Sequence, residues 1–360
     1  MRIVIVGENL SDYLAKCHEA FRTGIRRVYN AVPFGSGYPD FDRTLATYGQ
    51  IIDRVSPDAP PDLLFSNMKS CNPIVMPFRD LEQIGIPKTL YISDYWEFTE
   101  TNKAGFLRDM ERFGITFVTS YFPQLREIFA DTSLAGRIIT VPASIDPEIF
   151  NDWGIPKTYD VGFLAAGTMD YMSNYPERHR IHKKLLKRRD FSYLWAKHPG
   201  WNRGNDLPLV GRNFSKAINS CRMFITTGGK YRNAHAKYVE ILASRSLLLA
   251  DEPVGAEILH LVDGYNYVRI DENDVEDKIE YYLKHPDLCH DIARAGYVTA
   301  MRFHNCYARA VDFYDATRDI LSKSGFAETR VHFPGMSAAN PESSGFRLPD
   351  FIGRYFRKGI

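Results

Sequence analysis

The sequence predicts an α/β protein built from two doubly wound units that face each other across a cleft. Three observations predict it. Short β-branched runs alternate with helical patterns. The alternation breaks once, at a stretch carrying prolines and a glycine, and then restarts. At 360 residues the chain is long enough for two units that each bury a core. The divisions that follow are residues 1–150, residues 151–323 and a tail, 324–360.

In the first unit, residues 2–7 form an apolar run ending in Gly7, the pattern of a buried strand opening a parallel sheet. A first helix follows, carrying His18. Further strands are expected at 62–67, 88–93, 115–119 and 137–141, with helices at 103–113 and 123–130. Residues 145–159, with Pro147, Gly154 and Pro156, read as the linker. Beyond it strands are expected at 160–165, 191–196, 222–226, 247–250 and 267–270. Helices are expected at 179–189, 213–220, 235–244, 255–261, 274–285, 286–303 and 306–323. Two Rossmann-like units of this kind place their ligands beyond the C-terminal strand ends.

Bulk properties exclude several classes. Apolar residues make up 44% and charged residues 25%, an ordinary globular balance. A formal net charge of +1 gives no overall field for nucleic acid. The five cysteines (Cys17, Cys71, Cys221, Cys289, Cys306) are scattered and show no metal-ligand spacing, which reads as reduced thiols. The N-terminal apolar run is too short for a signal peptide, and no stretch approaches the roughly 18 apolar residues of a membrane span. A cytoplasmic protein is the expectation. In the tail, 346–360 mixes aromatics with Arg347, Arg354, Arg357 and Lys358; packing back on the body and peripheral contact with anionic lipid both remain open.

Gly7 is followed by Glu8-Asn9-Leu10, so no dinucleotide fingerprint follows the first strand, and no Walker A or GxSxG motif occurs. Asp40-Phe41-Asp42 has the letters of a metal-binding triplet but follows no strand. No metal or other cofactor is expected. The informative segment is 228–257. Gly228 and Gly229 follow a strand, and Lys230, Arg232 and Lys237 lead into a helix. Backbone amides there would face a diphosphate with help from the helix dipole. Lys237 and Glu240 share a helix face, suited to phosphate and ribose; a surface ion pair is the alternative.

At Lys237-Tyr238-Val239-Glu240-Ile241-Leu242-Ala243 and Leu247-Leu248-Leu249 the chain resembles the donor-site helix and following strand of GT-B glycosyltransferases, the group 1 kind, and most of all the CgeB-like group. Glu257-Ile258, Asp263-Gly264 and 278–286 continue the likeness, as do Val141-Pro142 and Asp146-Pro147-Glu148-Ile149-Phe150 upstream. It covers residues from about 115 to 320. The resemblance implies that Glu240 holds the donor ribose and that Lys237 stands in for a basic residue, usually arginine. Retaining families often carry a second glutamate eight positions before; here that position is Arg232. The implied activity is transfer of a sugar from a UDP- or GDP-linked donor to a saccharide or glycoconjugate hydroxyl. A nucleotide-sugar 2-epimerase and an inactive binding protein of the same fold are the alternatives.

Further donor-site candidates are Gly167 and Thr168 at the end of the second unit's first strand, and Lys197 with His198 at the end of its second. On the acceptor side Asp94, followed by Tyr95-Trp96-Glu97, would act as base if burial raised its pKa, or would cap a helix.

Overall fold

The computed structural model describes residues 1–12, 16–68, 70–71, 73–92, 100–165, 175–197 and 209–323. The first sheet holds β1 (Ile3–Val6), β2 (Val32–Phe34), β3 (Leu63–Asn67), β6 (Lys88–Ile92), β7 (Phe117–Ser120) and β8 (Ile138–Thr140). All are parallel, in the order β2-β1-β3-β6-β7-β8. A separate small hairpin joins β4 (Ser70–Cys71) to β5 (Ile74–Val75). The helices of this half are α1 (Lys16–Tyr29), α2 (Tyr48–Val55), α3 (Glu100–Arg112) and α4 (Gln124–Ile128). Strand β1 is fully buried along its length, as a β-branched run covered on both faces should be.

The second sheet comprises β9 (Tyr159–Ala165), β10 (Tyr193–Lys197), β11 (Cys221–Thr226), β12 (Leu247–Ala250) and β13 (Val268–Arg269). It too is parallel, ordered β10-β9-β11-β12-β13. Around it run α5 (Pro176–Leu185), α6 (Arg212–Asn219), α7 (Ala236–Ala243), α8 (Val275–Lys284) and α9 (Pro286–Thr299). Both sheets reverse their strand order once: between β1 and β3 in the first, between β9 and β11 in the second. A reversal opens a crevice at the C-terminal strand ends, where ligands of such sheets sit. The two-unit α/β architecture expected from the sequence is therefore present.

Several elements differ from expectation. Strand β2, helix α2 and the hairpin fall outside the strands and helices expected from the sequence. Residues 255–261 form a run of turns rather than a helix, bounded by positive φ at Gly255 and His260. Helix α9 passes into a π-helical turn (Ala300–His304), and after Asn305 the chain crosses back as α10 (Cys306–Lys323). This helix packs on α1, with Phe313 edge-on against Phe21 and Phe65 and Tyr314 stacked on Tyr29. The last helix of the 151–323 segment thus joins the core of the first unit.

Both chain crossings are tied together. The Ile145 amide donates to the His304 carbonyl, and the Cys306 amide donates to that of Ile145, each at 2.9 Å. Arg27 on α1 pairs with Glu148 in the linker and donates to Tyr307 on α10. Cys221, Cys289 and Cys306 are buried free thiols. Among the described residues no helix is long and apolar enough to cross a membrane.

Candidate functional site

The site forms where β11 ends beside the second sheet's strand-order reversal. After Thr226 the chain passes through Thr227 and Gly228 into a single 3-10 turn, Gly229–Tyr231. It reverses at Arg232, which adopts left-handed φ, and reaches α7 through Asn233 to His235. The reversal brings Gly228 so close that a β-carbon there would lie 2.6 Å from the Asn233 amide, so glycine is required. Gly228 donates its amide to Asp251 Oδ1 at 2.7 Å, and the Tyr238 hydroxyl donates to the same oxygen at 2.6 Å. One half-buried carboxylate just past the end of β12 therefore holds both the loop and the helix behind it.

Helix α7 is apolar apart from Lys237 and Glu240, as befits a helix buried nearly all round. His235 caps it: Nδ1 accepts from the Lys237 amide at 3.3 Å, so Nε2 carries the proton and donates to the Thr227 carbonyl at 2.9 Å. Burial, with Arg178 nearby, holds this imidazole neutral, well below its ordinary pKa. Burial, and the nearby Arg178 charge, lower the pKa of the Lys237 ammonium, while burial raises that of the Glu240 carboxyl; each of the pair opposes the other's shift. Glu240 is only 6% exposed, yet among the described residues its carboxylate accepts no hydrogen bond. A buried acceptor left in this way fits a ligand hydroxyl.

Arg178 is the residue that sequence reasoning missed. It lies in the first turn of α5, whose start abuts the Gly229–Tyr231 turn. The side chain is 5% exposed and stacks at 3.9 Å on the Tyr175 ring. Its Nη2 donates to the Thr227 carbonyl at 2.5 Å. Among the described residues no carboxylate lies within ion-pair distance, though Asp251 acts on the guanidinium at longer range, and Nε is sealed without a partner, as is Oγ1 of Thr227. Cations are disfavoured at a helix N-terminus, and that anomaly in Pro176-Glu177-Arg178 is the signal that could have exposed it. The starts of α5 and α7, Arg178 and Lys237 all gather at the end of β11, an arrangement suited to a polyanion.

The sequence-predicted residues divide. Gly228, Gly229, Lys237 and Glu240 come together here, although the Gly228 amide is engaged by Asp251 and is not available to phosphate. Arg232 does not converge. Its exposed side chain turns outward, Nε donating to the Glu252 carbonyl and Nη2 lying 3.6 Å from the Glu252 carboxylate. Lys230 is exposed over the adjacent Tyr231 ring. Asp94, Gly167, Thr168 and His198 lie outside the described residues, as do the 324–360 tail and the side chains of His18 and Lys197. Among the described residues no group of side chains could hold a metal, and Asp42 accepts from the Thr44 hydroxyl instead.

Helix α4 of the first unit meets this loop directly. Gln124 Nε2 donates to the Tyr231 carbonyl at 3.2 Å and reaches Asn233 Oδ1 at 3.4 Å.

Residues 178–315 match the glycosyl transferase-like family model, from Arg178 to the middle of α10. No curated protein matches the chain. Among solved structures it is similar to Anabaena HepE in complex with UDP and glucose, at 12% identity and a TM-score of 0.57, over 89% of this chain and 100% of that one. Sucrose-phosphate synthase from Thermosynechococcus elongatus is 9% identical, with a TM-score of 0.57 over 90% and 100% of the two chains. A glycosyltransferase from Rickettsia africae is 11% identical, with a TM-score of 0.58 over 89% and 98%. The family match is broader than the CgeB-like group that the sequence resembles. The chain has the GT-B fold, and its residues 178–315 match the glycosyl transferase-like family.

Proposed function

We propose that the protein transfers a sugar from a nucleoside-diphosphate sugar to an acceptor hydroxyl held by the first unit. The observation that carries this is Arg178, a buried guanidinium with no carboxylate partner, set at the end of β11 among two helix starts. Two linked phosphates supply the missing anion. Glu240 accepts hydrogen bonds from the ribose hydroxyls, and Lys237 beside it faces the phosphates. As the glycosidic bond breaks, negative charge grows on the leaving diphosphate. Fixed donors in a site of low water content stabilise that charge in the transition state. The first unit presents the acceptor, with Asp94 as its base, and contact between the units excludes water that would hydrolyse the donor.

HepE has been captured with UDP and with UDP-glucose, which supports a uridine donor ahead of a guanosine one. In this reading the reaction needs no metal, runs in the cytoplasm, and serves glycan or glycoconjugate synthesis. Peripheral membrane contact through 346–360 would place it near a lipid-borne acceptor.

A thermal-shift panel of UDP, GDP, ADP, TDP and CMP tests the donor class. A ligand at a hundred times its dissociation constant adds about 2.7 kcal/mol of stability. One nucleoside diphosphate should stand out, and a flat panel sinks the proposal. Incubating the matching nucleotide sugar without acceptor separates transferase from 2-epimerase, because only an epimerase converts the free donor.

A further inference from the structure

Gln124 is the first residue of α4, just beyond the C-terminal end of β7, where the first unit touches the β11–α7 loop. It is 8% exposed. The orientation of its amide is set by chemistry: the Tyr231 carbonyl can only accept, so the atom facing it is Nε2. Oε1 is then the other end of the amide, and it is sealed without a hydrogen-bond partner. Buried amide oxygens rarely stay unpaired unless a ligand or water completes them.

Two further sealed, unpartnered atoms, Thr227 Oγ1 and Arg178 Nε, belong to the same loop and the helix start beside it. Three side chains of this loop are placed elsewhere. Arg232 is turned onto Glu252, Lys230 lies over Tyr231, and Asn233 Oδ1 already faces Gln124. A second contact holds Gln124 in place. Gly255, at φ +84°, lies so close to Pro123 that a β-carbon would sit 2.7 Å from its ring, so the units meet closely here.

We propose that Gln124 is a specificity residue for the transferred sugar: Nε2 stays on the donor loop while Oε1 accepts a hydrogen bond from a sugar hydroxyl. This rests on the donor-site reading above and names the group that would recognise the sugar rather than the nucleotide. The residue belongs to one unit and the loop to the other. Sugar recognition therefore depends on contact between the units, whereas nucleotide recognition through Arg178, Lys237 and Glu240 does not.

Calorimetry with UDP and UDP-glucose, and with GDP and GDP-mannose as a second pair, tests the assignment on the full chain. Gln124→Met keeps the length and apolar body of the side chain and removes both polar atoms. Gln124→Glu keeps an acceptor at Oε1 but loses the donor to Tyr231. The methionine variant should lose about fivefold to tenfold in affinity for the nucleotide sugar, the worth of one buried hydrogen bond, with less than a twofold change for the free nucleotide. The glutamate variant should retain the preference for nucleotide sugar over nucleotide. Donors lacking one hydroxyl should bind wild type less well by a similar factor and bind Gln124→Met no worse than the full donor.

Equal losses for nucleotide and nucleotide sugar would make Gln124 only a latch between the units and overturn the assignment, as would an unchanged sugar preference in Gln124→Met. Absence of nucleotide binding to the wild type would instead remove the donor reading itself, an outcome distinct from a failure confined to Gln124. Melting temperatures of both variants confirm that folded protein is compared.

Discussion

Each sheet reverses its strand order once, and beside each reversal a buried arginine grips a carbonyl at a strand end. In the first unit Arg22, 1% exposed, donates Nη1 to the Glu8 carbonyl at 2.5 Å. In the second, Arg178 does the same for Thr227. The difference lies in what balances the charge. Arg22 faces Glu19 at 3.3 Å, and that carboxylate also accepts from the Tyr38 hydroxyl and lies 3.6 Å from Arg26. Arg178 has a tyrosine ring and a carbonyl but, among the described residues, no carboxylate within 4.0 Å. One arginine is neutralised from within and serves the scaffold. The other has no carboxylate in contact, only the longer-range field of Asp251, so much of its charge remains for a ligand.

If that contrast is right, substitutions at the two arginines must fail differently. Arg22→Met strips Glu19 of its nearest cation. It should cost about 3 kcal/mol of stability, the low end for breaking a buried ion pair because Arg26 remains, and leave nucleotide affinity intact. Chemical denaturation and calorimetry measure the two. Arg178→Met should do the reverse. Nucleoside-diphosphate affinity should fall about 10- to 100-fold, the worth of charge-assisted hydrogen bonds. The unliganded melting point should move little, because His235 still donates to Thr227. A large loss of stability with unchanged binding would erase the distinction.

Lys237 sharpens the same contrast through pH. Burial leaves its ammonium with a pKa of about 7, so above that pH the empty site is largely unprotonated there. A bound diphosphate restores the charge, and binding takes up a proton. Affinity should therefore fall as pH rises above about 7, by at most tenfold per unit, and the slope should flatten in Lys237→Met, leaving what Glu240 contributes. The smallest effect is expected at Arg232. Its outward pair with Glu252 is exposed, and such pairs contribute little. Arg232→Ala should change diphosphate affinity less than twofold; a tenfold loss would restore the role that the sequence suggests for it.

The loop at 228–233 shows how far local pattern reaches. A glycine pair after a strand, with basic residues leading into a helix, located the loop correctly. The same pattern could not say which cations face inward, because that depends on the left-handed turn at Arg232 and on Glu252, twenty residues away. Nor could it show that Asp251, from the next strand, holds the Gly228 amide. Helix α10 teaches the same lesson at larger scale. Its apolar face is legible as a helix, but whether that face packs on the second sheet or on α1 is a matter of where the chain turns at Asn305.

By itself the sequence determined the alternation of strands and helices and the segment that forms the loop between β11 and α7. These are properties of neighbours along the chain: β-branched runs, helical period, and the restrictions of proline and glycine. Only the tertiary structure decided which charges are compensated. Glu19 meets Arg22 three residues away on one helix. Arg178 draws its nearest opposing charge from Asp251, just past the end of β12 and 73 residues further along the chain, and at longer range than an ion pair. Charge balance in a folded protein is set by burial and distance in space, and neither is written in local order.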